Sequence, residues 1–174
     1  MRKITLGFLE KNNACQDGIE EVTELGLLGL PADRFVEGLI EHDKFYYANW
    51  LIFTLLRTKK REVMYSVYAT ELILDTYPTE NIDKPREALR AAKAYLKNPS
   101  KRAADAAAAV IHPASIYNLA ARAAYNTAYA ASSKPYHNTK GAYAAVCYAI
   151  DAAERIGNNI LKGRIIEYGL SLLK

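Results

Sequence analysis

Apolar positions recur at three- and four-residue spacing along nearly the whole chain, the period of helices with one buried face. Thr5 is placed to cap a short helix over 5–12. Leu6, Phe8 and Leu9 form its apolar side, and Asn12 and Asn13 end it, because Asn tolerates the left-handed conformation of a helix C-terminus. A second helix spans 15–25, with Ile19 and Val22 inward and Asp17, Glu20, Glu21 and Glu24 outward, until the glycine loop 26–29. Pro31 suits the first turn of a third helix, 31–42, with Phe35, Val36, Leu39 and Ile40 as its stripe. Asp43 is the expected cap of a fourth helix, 45–56. That helix is apolar nearly all round, from Phe45, Tyr46 and Tyr47 through Trp50, Leu51, Ile52 and Phe53 to Leu56, which predicts the central, buried helix. Thr58 caps a fifth, 59–77.

The second half repeats the logic. Asp83 sits where an N-cap belongs and Pro85 opens a helix over 85–97. Asn98 and Pro99 end it, Ser100 caps a helix over 101–111, and His112-Pro113 breaks that one. Ser115 starts the next, to 131. After a loop over 132–139 come helices over 139–155 and 160–173, separated by Gly157-Asn158-Asn159. No segment alternates as a strand does. The expectation is an all-α protein: one compact domain, 1–174, of eight to ten helices, with Ala-rich helix pairs in the C-terminal half.

The stretch 88–153 gives that half its character. It holds 24 alanines in 66 residues. Alanine has the best helix propensity and lets two helix axes approach below the usual 8–10 Å. It buries little area, so tyrosine must supply the rest, each burying on the order of 150 Å² or more. Tyr117, Tyr125, Tyr129, Tyr136, Tyr143 and Tyr148 are available, and the stretch around Tyr125-Asn126 and Tyr129 echoes that around Tyr143 and Tyr148. Two readings compete: core and rim packing, or a partner- or ligand-binding groove lined by Tyr117, Tyr125, Asn126, Tyr129, Tyr143 and Tyr148. Leucine would serve a plain core as well, so the hydroxyls are expected to have partners, inside the fold or on a target.

Net charge of +4 is mildly basic, short of a dedicated nucleic-acid binder. The one tight basic run, Lys59-Lys60-Arg61, is the candidate for phosphate contact; nucleic acid is otherwise disfavoured. No apolar run reaches the roughly 18 residues of a membrane span. Cys15 and Cys147 lie far apart without a disulfide framework, so a cytoplasmic setting with both thiols free and packed is expected. His42 adjoins Asp43 and so points away from it on a helix, and His112 and His137 sit at helix boundaries. No Cys-x-x-Cys, His-Glu-x-x-His, Gly-x-Ser-x-Gly or phosphate loop occurs. No enzyme activity, metal or cofactor is expected.

Three stretches carry a resemblance: Phe8-Leu9-Glu10-Lys11-Asn12-Asn13-Ala14-Cys15-Gln16-Asp17-Gly18, Asn49-Trp50-Leu51-Ile52-Phe53, and Asp83-Lys84-Pro85-Arg86-Glu87-Ala88-Leu89-Arg90-Ala91-Ala92 followed by Tyr95-Leu96. Together they resemble a family of small, alanine-rich, all-helical bacterial and phage proteins described as immunity proteins. The resemblance implies a non-catalytic protein that binds, and inhibits or sequesters, a protein partner or a small ligand. It carries over no residue roles. Self-assembly through the Ala-Tyr surface into a homo-oligomer, and a nucleic-acid accessory role, are the alternatives.

Overall fold

The computed structural model describes residues 1–76, 82–110, 119–132 and 138–174. Among them the chain is all-α: α1 (Leu6–Lys11), α2 (Gln16–Glu24), α3 (Ala32–Glu41), α4 (Phe45–Leu55), α5 (Lys59–Leu74), α6 (Asp83–Lys97), α7 (Lys101–Ala109), α8 (Leu119–Ala131), α9 (Asn138–Arg155) and α10 (Asn159–Ser171). Among the described residues the one extended pairing is an isolated antiparallel bridge, Lys3 with Pro31, beside Ile4, which is fully buried in the core. No helix among the described residues is long and apolar enough to cross a membrane.

Side-chain caps stand where hydroxyls were expected. Thr5, Thr58 and Ser100 accept from the backbone N–H groups of Phe8, Arg61 and Ala103, which would otherwise be unpaired. Helix ends follow a second rule. Asn13, Gly26, Asp43 and Gly157 all have positive φ, between 57° and 66°. In each case the next N–H returns to a carbonyl five residues back, as in Ala14 to Leu9 and Lys44 to Leu39. Asp43 therefore closes α3 rather than capping α4, which begins after Lys44 without a side-chain cap. Asp83 also differs from expectation: Ile82 is already helical, so Asp83 lies within the first turn, where its charge still meets the positive helix end. The break at His112-Pro113 and the start at Ser115 lie outside the described residues.

The more surrounded of the two helices α4 and α5 is α5. It packs against α6, α8, α9 and α10. Because neighbours surround it, its buried set includes polar residues, among them Ser66 and Thr70, whose hydroxyls are paired. Thr70 and Thr127 share a hydrogen bond at 2.7 Å, and Thr127 also donates to the Ser66 carbonyl at 3.2 Å. By contrast α4 touches α3, α9 and α10 on its core side.

The alanine stretch builds the α8–α9 pair. Ala120, Ala123, Ala124, Ala128 and Ala131 on α8 are fully buried, as are Ala142, Ala145, Ala149, Ala152 and Ala153 on α9. At Gly141 the approach is closest. A Cβ there would lie 3.2 Å from the Asn126 carbonyl oxygen, 3.3 Å from the Ala130 nitrogen and 2.9 Å from the Tyr129 ring. Backbone atoms cannot step aside, so only glycine fits without shifting a helix. Tyr65 plays a similar part against α10: it is fully buried, stacks on Phe53 with centroids 5.2 Å apart, and lies over Gly169.

Candidate functional site

An apolar cavity of about 320 Å³ opens between α1, α2, α3, α4 and α9. Its formation follows from local geometry. The left-handed turn at Asn13 swings the chain from α1 into α2, placing Asn13, Ala14 and Cys15 at the rim. Gly18 and Val22, one turn apart on α2, line one side. A Cβ at Gly18 would meet the Cys15 sulfur at 3.1 Å and the Tyr47 ring at 3.5 Å, so the missing side chain helps keep this side open. Phe35 and Leu39 come from the inner face of α3, and Tyr46, Tyr47, Trp50 and Leu51 from two adjacent rows of α4. Tyr143 of α9 closes the floor. The all-round apolar pattern of α4 is thereby explained: one side packs into the core and the other faces the cavity.

A second, shallower cavity of about 220 Å³ adjoins it, lined by Trp50, Phe53, Thr54, Lys140 and Tyr143. Trp50 and Tyr143 line both. Tyr143 is held in place by an edge contact on Phe53, centroids 5.6 Å apart.

The polar groups around the larger cavity are turned into the fold. The Tyr46 hydroxyl donates to the Asp151 carboxylate. The Cys147 sulfur accepts from the Asn49 amide at 3.4 Å. Burial, more than any neighbour, raises the pKa of Tyr46, Tyr143 and Tyr47, and it also pushes the Cys147 thiol up. These groups therefore stay neutral at ordinary pH. Asn49 is fully buried and its carbonyl oxygen has no hydrogen-bond partner. Near Tyr47, Lys44 pairs with Glu21 at 2.7 Å, and that hydrogen bond raises the lysine pKa. The cavity lining itself contains no charged side chain. Such a space solvates apolar matter and offers no charged acid or base to a reaction.

The tyrosines singled out in the sequence are not one surface. Tyr143 lines both cavities, while Tyr125 is buried in the core. Asn126 and Tyr148 stand half-exposed along α8 and α9, joined by Arg122. The Arg122 guanidinium lies 4.0 Å from the Tyr148 ring centroid and donates to its hydroxyl, and Asn126 donates to the Arg122 carbonyl at 2.8 Å. Tyr129 is half-exposed beside Gly141. Tyr117 and Tyr136 lie outside the described residues.

In the basic run, the Lys59 ammonium donates to the Ala131 carbonyl at 3.2 Å and to that of Ser132, and lies 4.8 Å from the Tyr95 ring centroid. It thus caps the negative end of α8. Partial burial lowers its pKa. Lys60 and Arg61 are exposed.

Cys15 and Cys147 are both free thiols, but Cys15 is exposed at the cavity rim rather than packed. Among the described residues no three His, Cys, Asp or Glu side chains gather as a metal site would require. The cavity residues most visible in the sequence, Trp50 and the Tyr46-Tyr47 pair, were read there as core. Their one local signal is that α4 has more large apolar residues than a single buried face needs. No family model, no curated protein and no solved structure matches this chain.

Proposed function

We propose that this is a non-catalytic binding protein that encloses a small apolar ligand between α1, α2, α3, α4 and α9. The observation that carries the reading is the cavity of about 320 Å³ lined by Phe35, Tyr46, Tyr47, Trp50 and Tyr143. Its size falls within the ~300–1,000 Å³ range of small-molecule sites. At roughly 30 Å³ per water-sized group it takes about ten non-hydrogen atoms. Aromatic walls held by neighbours on their far sides are preformed, so little ordering cost falls on binding. Sequestration of a ligand agrees with what the resemblance to immunity proteins implies.

Trp50 is the sole tryptophan and lines the cavity, so its emission reads occupancy directly. Apolar compounds of about ten heavy atoms should shift that emission saturably, and Val22→Phe, which fills the space from α2, should abolish the shift while the protein still melts cooperatively. An unchanged response in the filled variant defeats the reading.

The half-exposed row of Tyr148, Arg122 and Asn126 favours a second reading, a protein-binding face on α8 and α9, since tyrosine and arginine are the residues enriched at such faces.

A further inference from the structure

Aromatic side chains reach the larger cavity from three helices: Phe35 from α3, Tyr46, Tyr47 and Trp50 from α4, and Tyr143 from α9. An aromatic ring carries a negative π face, which attracts a cation more than a neutral group of the same shape. The charges set around these rings point the same way. Asp151 accepts the Tyr46 hydroxyl proton, and Asp17 lies beside Tyr47 on α2. We propose that the ligand is an organic cation with apolar substituents, a quaternary ammonium group on a small apolar body, held among these rings with Asp17 and Asp151 as its counter-charges. This rests on the reading of the larger cavity as a ligand site and names the chemistry that the site selects.

The electrostatics of the tyrosines register these neighbours. Burial first, then the hydrogen bond to Asp151 and the charges of Asp151 and Glu154, raise the Tyr46 pKa. At Tyr47 burial is again the largest cause, followed by the Cys15 thiol, Glu21 and Asp17, while Lys44 acts in the opposite sense. That lysine is paired with Glu21 at 2.7 Å, so the two charges largely offset each other. Asp17 stands in the first turn of α2 and counters the positive helix end there. Lys140 belongs to the lining of the smaller cavity and not of this one. Neither Asp17 nor Asp151 is part of the lining itself. A primary ammonium inside would therefore bury N–H donors without carboxylate acceptors, whereas an alkylated ammonium has no N–H to satisfy and presents methyl groups to the rings. An anion would meet the same carboxylates as repulsion.

Phenyltrimethylammonium and tert-butylbenzene separate charge from shape, because they are isosteric and each has about ten non-hydrogen atoms, the number the cavity takes. Both are titrated against the full chain by Trp50 emission and by calorimetry at low salt. The cation is expected to bind about tenfold more tightly than the hydrocarbon. Tyr47→Leu removes a ring and Asp151→Asn removes a charge. Each should cut that preference and leave tert-butylbenzene binding in place, whereas Tyr47→Phe keeps the ring and should keep the preference. Val22→Phe, which fills the space, should abolish binding of both probes. Equal binding of the two, tighter binding of the hydrocarbon, or a preference undiminished in both Tyr47→Leu and Asp151→Asn overturns the cation assignment while leaving the apolar site standing. Cation binding that survives in Val22→Phe places the charge on the outer surface and overturns it too. Failure of both probes to bind the unmodified protein removes the cavity reading itself.

Discussion

Around α1 to α4, large side chains such as Phe35, Leu39, Trp50 and Leu51 line a cavity of about 320 Å³. Along α8 and α9, alanines and Gly141 bring backbone against backbone at contact distance. Both regions are buried, yet they bury differently. Side chains that reach far can leave an enclosed space, because bulky residues at fixed helix angles rarely fill every corner. Alanine faces have no reach, so helices separated by them must either touch or lose their contact altogether. The alanine pair therefore serves as the stiff support, and the large-residue region carries the site. Tyr143 joins the two, since it springs from α9 and lines the cavity.

The comparison breaks most severely if bulk is added where backbones touch. Gly141→Leu should cost about 3 kcal/mol, the upper end for overpacking, because its Cβ would press on the Asn126 carbonyl and the Ala130 nitrogen. At ~2–4 °C per kcal/mol for a chain of this size, the melting temperature should fall by roughly 6–12 °C. An unchanged melting temperature would show that α9 can move off α8 freely.

Tyr65 sharpens the boundary between the regions. It stacks on Phe53 of α4 and lies against Gly169 of α10, and its buried hydroxyl has no partner. Tyr65→Phe should stabilise the protein by about 1 kcal/mol, since it removes a desolvated polar group and keeps the ring. The same burial holds the phenol protonated, its pKa well above the ordinary 10.0. With the folded value raised, the native state retains a proton that the unfolded chain releases. The contribution is complete below pH 10 and is lost as pH rises toward the folded value. Denaturant midpoints measured above pH 10 should consequently fall less steeply in Tyr65→Phe, and a parallel decline in both proteins would contradict the assignment.

The smallest effect is expected where bulk enters open space. Val22→Leu adds one methylene to the cavity wall and should change stability by less than about 1 kcal/mol. Chemical denaturation checks it. A loss as large as that for Gly141→Leu would mean that the cavity is as tightly packed as the alanine pair.

Much of the architecture was legible from local chemistry. Helices begin at Thr5, Thr58 and Ser100 because a hydroxyl there satisfies a free N–H, and α1 ends at Asn13 because that residue accepts positive φ. Asp43 misled because Asp suits both a cap and a left-handed turn, and the choice was made by the return bond from Lys44 to Leu39. Of the tyrosines in the alanine stretch whose hydroxyls were expected to have partners, Tyr148 has one inside the fold, the Arg122 guanidinium. The candidate site was far less legible. Of the tyrosines proposed to act together, Tyr143 reaches the cavity and Tyr125 faces the core, although their helices run side by side.

What the sequence determined alone is the helical class, most helix boundaries and the closeness of the alanine pair, because periodicity, capping and side-chain size are properties of neighbours along the chain. What only the tertiary structure decided is that α5 is more surrounded than α4, that Lys59 closes the end of α8, and that Cys15, Trp50 and Tyr143 meet around one space. A cavity belongs to no segment. It is the volume that five separately legible helices fail to fill once their packing angles are set.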